Sequence, residues 1–123
     1  MNTKAIGDAT VAMVLARLAL KGKTVLTPYG DKDRFDLVLY EDEKFSRIQC
    51  KTGRLKNGNV KFSTRSVYLY GKGKSVIRQY EGQIEFYGVY CPEINSVYLV
   101  PVSEAKTRST RSLPLEKAKE FEV

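Results

Sequence analysis

Four polar side chains stand where a core-building pattern does not ask for them: Asp8, Asp36, Gln49 and Lys51. Asp8 falls in the second turn of an apolar N-terminal segment. Asp36 opens the run FDLVLYE, and Gln49 and Lys51 lie in FSRIQCKT. A carboxylate, an amide oxygen and an ammonium group on adjacent strands form a set that can work on a phosphate ester. Asp36 and the Gln49 carbonyl oxygen are hard ligands suited to Mg²⁺, and a metal-held water gives up its proton more easily. Lys51 can orient that water or stabilise charge on a pentavalent phosphate. Asp8 can add a further metal ligand, directly or through water. Each residue also has a plainer reading. Asp8 complements a helix macrodipole, Asp36 is a strand-edge charge, and an outward Arg47, Gln49 and Lys51 make a solvated strand face. The joint pattern is what favours chemistry.

These residues need elements to position them. Residues 3–21 read as a helix capped by Asn2 or Thr3, with Ile6, Ala9, Met13, Ala16 and Leu20 at helical spacing and Gly22 as its stop. Residues 23–28 are short and β-prone, and 29–34 form a polar loop. Strands over 35–41 and 44–52 flank a turn at Asp42-Glu43 and so form a hairpin. Side chains alternate along a strand, so Ile48 and Cys50 take the core face while Arg47, Gln49 and Lys51 share the other. The hairpin register predicts that Asp36 falls close to Lys51, an expectation that a slip would break. Asn57-Gly58 signals a tight turn. Further strand pieces are expected at 60–63 and 66–70, a basic loop at 71–75, a hairpin from 84–91 and 96–102, and a short helix over 115–122. The order gives a single α/β (α+β) domain spanning 1–123.

Composition narrows the chemistry. The 123 residues contain no histidine, which removes Ser-His-Asp and Cys-His machinery and most zinc hydrolase sites. Cys50 and Cys91 lie in apolar runs and read as buried free thiols in a reducing compartment. No apolar run is long enough to span a bilayer, and no cleavage site follows the first apolar stretch; a cytoplasmic, membrane-free protein is expected. The net charge of +7 favours a polyanionic partner, with a merely solvated basic surface as the other reading. Arg54, Lys56, Lys61, Arg65, Lys72, Lys74 and Arg78 can each neutralise a phosphate, and Ser66 can bind one.

The arrangement of a helix acid, then Asp36, then Gln49-Cys50-Lys51 resembles the PD-(D/E)XK nuclease superfamily, and within it the group I intron-associated homing branch. The matching stretches are Tyr29-Gly30-Asp31, Arg34-Phe35-Asp36-Leu37-Val38 and FSRIQCKTGR from Phe45 to Arg54. Later ones are Tyr80-Glu81-Gly82-Gln83-Ile84, Val89-Tyr90-Cys91-Pro92-Glu93 and VYLVPV from Val97. The resemblance implies a restriction-endonuclease-like core, a central mixed β-sheet flanked by helices. It implies a metal-dependent endonuclease cutting double-stranded DNA with Mg²⁺, or with Mn²⁺ in its place. By position, Asp36 would be the central metal ligand, Gln49 the second, Lys51 the catalytic lysine and Asp8 the helix acid. The chain departs from the superfamily pattern at Phe35, where a proline is usual, at Gln49, where an acid is usual, and at Asp8, where glutamate is commoner. A site-specific homing-type enzyme is the leading expectation. A Holliday junction resolvase acting on branched DNA and a non-catalytic DNA-binding protein on the same fold are the alternatives. Cutting both strands needs two sites, so a homodimer or homotetramer is expected, with strand edges in the 84–102 hairpin as its interface.

Overall fold

The computed structural model describes residues 1–30, 32–70, 74–79 and 82–123, with 66–70 and 74–79 as backbone only. Asp31, Gly71, Lys72, Gly73, Tyr80 and Glu81, which include parts of the matching stretches and of the basic loop, lie outside the described residues.

Helix α1 spans Thr3–Leu20 and starts where the Asn2 side chain accepts a hydrogen bond from the Ala5 N–H. Its core stripe is Thr10, Val14 and Leu18, which are buried. The spacing of Ile6, Ala9, Met13, Ala16 and Leu20 pointed to a different stripe, yet Ile6 is 39% and Leu20 84% exposed. Alanine, valine, methionine and leucine occur almost all round this helix, so periodicity alone does not choose the inward side. No helix among the described residues is long and apolar enough to cross a membrane.

The short strand β1 (Thr24–Leu26) leads through a loop to β2 (Leu37–Glu41) and β3 (Lys44–Thr52), an antiparallel hairpin. Its turn residues Asp42 and Glu43 have φ of 53° and 63°, the left-handed pair that a two-residue hairpin turn requires. Strands β4 (Arg54–Lys56) and β5 (Asn59–Ser63) flank Asn57-Gly58. Strands β6 (Arg65–Tyr70) and β7 (Lys74–Gln79) form a two-stranded ribbon. The expected basic loop therefore yields to strand from Lys74 onward. Strands β8 (Phe86–Cys91) and β9 (Ser96–Pro101) make the anticipated hairpin. Strand β10 (Thr110–Pro114) precedes α2 (Leu115–Ala118), and a 3₁₀ turn over Lys119–Phe121 follows. The expected helix over 115–122 is thus one α turn extended by a 3₁₀ turn.

The main sheet is five-stranded and mixed, in the order β1-β2-β3-β8-β9, with β3 and β8 parallel. A three-stranded sheet runs β10-β5-β4. One core lies between α1 and the main sheet: Val14, Leu18, Leu37, Leu39, Ile48, Cys50 and Val97. The other joins the opposite face to the small sheet and α2 through Val60, Phe62, Tyr87, Val89, Val100, Leu113 and Ala118. This is the central mixed sheet that the resemblance implied, with α1 on one face and the small sheet with α2 on the other.

Two positions hold the layers close. A side chain on Gly88 would meet Val14 Cγ1 at 2.9 Å and Ile48 Cγ2 at 3.0 Å, so only glycine lets α1 sit this low on β8. Arg17 locks the helix to the β8–β9 turn by donating to the Asn95 carbonyl at 2.7 Å. The outer edge of β9, the expected self-association edge, is partly taken: Val123 N–H donates to the Val97 carbonyl at 2.9 Å, and Tyr98 bridges to Glu122.

Candidate active site

The β2–β3 register pairs Leu37 with Ile48 and Val38 with Arg47. Asp36 lies just before the first of these pairs, and its N–H reaches the Ile48 carbonyl, one residue out of the regular register, while Gln49 and Lys51 share one face of β3. The sequence expectation set Asp36 close to Lys51 through a continued hairpin register; Asp36 instead stands just outside the paired strand. Asp36 is tied to β3 twice. Its N–H donates to the Ile48 carbonyl at 2.8 Å, and its Oδ2 accepts from the Cys50 N–H at 2.9 Å. Its other oxygen, Oδ1, accepts no hydrogen bond among the described residues.

Burial raises the Asp36 pKa above 3.8, while the Cys50 N–H and the charge of Lys51 pull it down. Lys51 itself is half-buried, and Nζ donates to the Arg65 carbonyl at 3.1 Å. Gln49 is half-buried too; Nε2 donates to the Cys50 carbonyl at 3.5 Å, and Oε1 carries no hydrogen bond among the described residues. Strand β3 then ends at Thr52, whose Oγ1 lies 2.6 Å from Thr10 Oγ1 on α1. That hydroxyl pair fixes where α1, and so Asp8, lies against the end of β3.

Asp8 is exposed and pairs with Lys4 at 3.4 Å. It lines a cleft of about 340 Å³ together with Val11, Thr27, Pro28, Gly30, Asp33, Phe35 and Asp36. Asp8 and Asp36 therefore face one space. Gln49 and Lys51 are not among its walls and approach Asp36 from β3. Asp33 was missed in the sequence, where nothing separated it from the other charges of its loop. Among the described residues no three Asp, Glu or Cys side chains are close enough together to hold a metal ion. The donor set that fits a hard cation is smaller: Asp36 Oδ1 and Gln49 Oε1, two oxygens that accept no hydrogen bond among the described residues.

The thiols play no part. Burial pushes Cys50 far above the ordinary thiol range, with the nearby Asp36 charge adding to it, so it stays protonated. Arg47 is taken by Glu85: Nε donates to Oε1 at 3.0 Å and Nη2 to Oε2 at 2.5 Å. This bidentate pair staples β3 to the segment before β8.

The basic residues divide into groups. Arg54 and Lys61 are directly opposite across β4 and β5 and line a second cleft with Thr52, Gly53, Phe62, Ser63 and Thr110. Lys56 is exposed at the end of β4. Arg65 begins the ribbon, in which the backbone of Ser66 pairs with that of Arg78, and Tyr70 with Lys74. Lys72 is outside the described residues.

The sequence profile of one family, described as PD-(D/E)XK endonuclease, matches residues 1–121. No curated protein matches the sequence significantly. Among solved structures, the chain is similar to a bacterial homing endonuclease, I-Ssp6803I. The identity is 24% and the TM-score 0.80, over 99% of this chain and 89% of that one.

Proposed function

We propose that this chain, which belongs to the PD-(D/E)XK endonuclease family and is a DNA endonuclease, cuts duplex DNA at a specific sequence with a divalent ion of the Mg²⁺ kind, Mn²⁺ serving in its place. The observation that carries the reading is the Asp36 carboxylate hydrogen-bonded to the N–H of Cys50, between Gln49 and Lys51 on β3. Asp36 and Gln49 would supply the oxygens that hold the ion, with Asp8 as a further ligand from α1, directly or through water. When bound, the ion supplies Lewis acidity to a water and to a phosphate oxygen. Lys51 Nζ, held in place by the Arg65 carbonyl, orients the attacking water and neutralises charge on the phosphate. Arg54, Lys56, Lys61, Arg65, Ser66, Lys72, Lys74 and Arg78 bind the backbone of the DNA. The likeness to a homing endonuclease supports site-specific cutting. Two strands require two sites, so the working form is a homodimer or homotetramer; light scattering that finds only monomer on cleavable DNA would remove it.

The test is cleavage of a labelled linear duplex and a four-way junction, with Mg²⁺ and with EDTA, by wild type and Lys51→Ala. Discrete cuts in the duplex that need metal are expected, with the rate falling on the order of 10²–10³-fold in Lys51→Ala and DNA binding retained. Symmetric nicking of the junction alone would make the enzyme a resolvase. Binding of both without cutting would make it a non-catalytic reader of DNA.

A further inference from the structure

The cleft beside β4 and β5 is built from a like-charged pair. Arg54 and Lys61 are cross-strand partners, and like charges directly opposite each other destabilise a sheet. Neither side chain has an ion pair or hydrogen bond among the described residues. Gly53 forms part of the wall. A side chain there would meet Val89 Cγ1 at 2.8 Å and Val60 Cγ1 at 3.2 Å, so the small sheet approaches the main one closely at this point. The cleft, about 350 Å³, is large enough for a phosphate group.

Its position matters as much as its charge. Arg54 follows Lys51 by three residues of near-extended chain, about 10 Å. Ser63, another wall residue, donates from Oγ to the Arg65 carbonyl at 3.1 Å, and Lys51 Nζ donates to that same oxygen. One backbone carbonyl thus couples the cleft to the lysine beside Asp36.

The geometry points to a phosphate seat: Arg54 and Lys61 together hold a single backbone phosphate of the DNA, flanking the phosphodiester presented to Asp36 and Lys51. This rests on the endonuclease reading and deepens it, because it gives two of the many basic residues one shared ligand. The pair's mutual repulsion is relieved when the phosphate arrives, and the seat sets the register of the strand at the cutting site. Arg54 and Lys61 are positioning residues; neither touches the reacting atoms.

The experiment measures the salt dependence of binding to a random-sequence duplex in EDTA. Wild type, Arg54→Gln, Lys61→Gln, the double variant and Lys119→Gln, a charge loss outside the cleft, are compared. One shared phosphate predicts that the double variant's log–log slope falls by about 0.9. Its affinity loss should also be smaller than the product of the two single losses. Lys119→Gln should leave the slope unchanged. In low salt the double variant should melt no lower than wild type, since repulsion has been removed. A slope fall of about 1.8 with multiplying losses would mean two independent contacts and overturn the seat. An unchanged slope, or a lower melting temperature, would overturn it as well. If wild type cuts duplex while the double variant keeps its slope, the seat alone fails. If wild type binds no DNA at any salt, the seat and the proposed function fail together.

Discussion

At the scale of the residue, Asp36 concentrates the tension in this protein. Burial disfavours its charge, and the Cys50 N–H and Lys51 return part of what is lost. A carboxyl whose folded pKa is raised holds its proton more tightly folded than unfolded. It therefore favours folding below the ordinary value of 3.8, and that contribution disappears as pH rises through the folded pKa. Ionising Asp36 in the folded chain is therefore a net cost to stability. Asp36→Asn is expected to abolish metal-dependent cutting while melting at or above the wild-type temperature, as scanning calorimetry at pH 7 would report. A large fall in melting temperature would show that the Cys50 hydrogen bond outweighs burial. Much of this was legible from local rules. Two-residue alternation in FSRIQCKT put Gln49 and Lys51 on one face because a strand leaves no other choice. Asp33 was not legible, because a charged loop residue acquires meaning only when folding brings α1 over it.

At the scale of the element, close approach governs. Gly88 leaves no room for a side chain, because a Cβ there would press on Val14 and Ile48. Gly88→Ala should destabilise the protein by about 1–3 kcal/mol, measured by urea unfolding. Adding Val14→Ala should recover part of the loss, and strict additivity of the two changes would refute the contact. The sequence disclosed α1, β3 and the β8–β9 hairpin, whose patterns are long and regular. It did not disclose β4 or β10. In β10 only Leu113 is buried, so TRSLP carries no alternation to read, and β4 is three residues long. The α1 stripe was misread for the opposite reason, an excess of apolar residues. There the deciding partner was Thr10, a polar side chain buried to meet Thr52.

At the scale of the whole molecule, the parallel pairing of β3 with β8 was the feature that no local pattern contained. Parallel neighbours are joined by long crossovers, and here the small sheet and the ribbon lie between them in sequence. The candidate site is less demanding. Asp8, Asp33, Asp36, Gln49, Lys51 and the Arg65 carbonyl all precede β8, which is why a short motif revealed so much of it. The far side of the sheet depends on a different detail. Residues 122 and 123 lie along β9 and satisfy groups that an outer strand otherwise offers to any passing chain. By that pairing they are expected to guard the edge against aggregation. Removing them should leave the cleavage chemistry of a freshly purified sample intact while shortening its shelf life. Turbidity and dye-binding fibrils should appear on storage, and a truncated protein that stays clear as long as the full chain would show the guard to be dispensable.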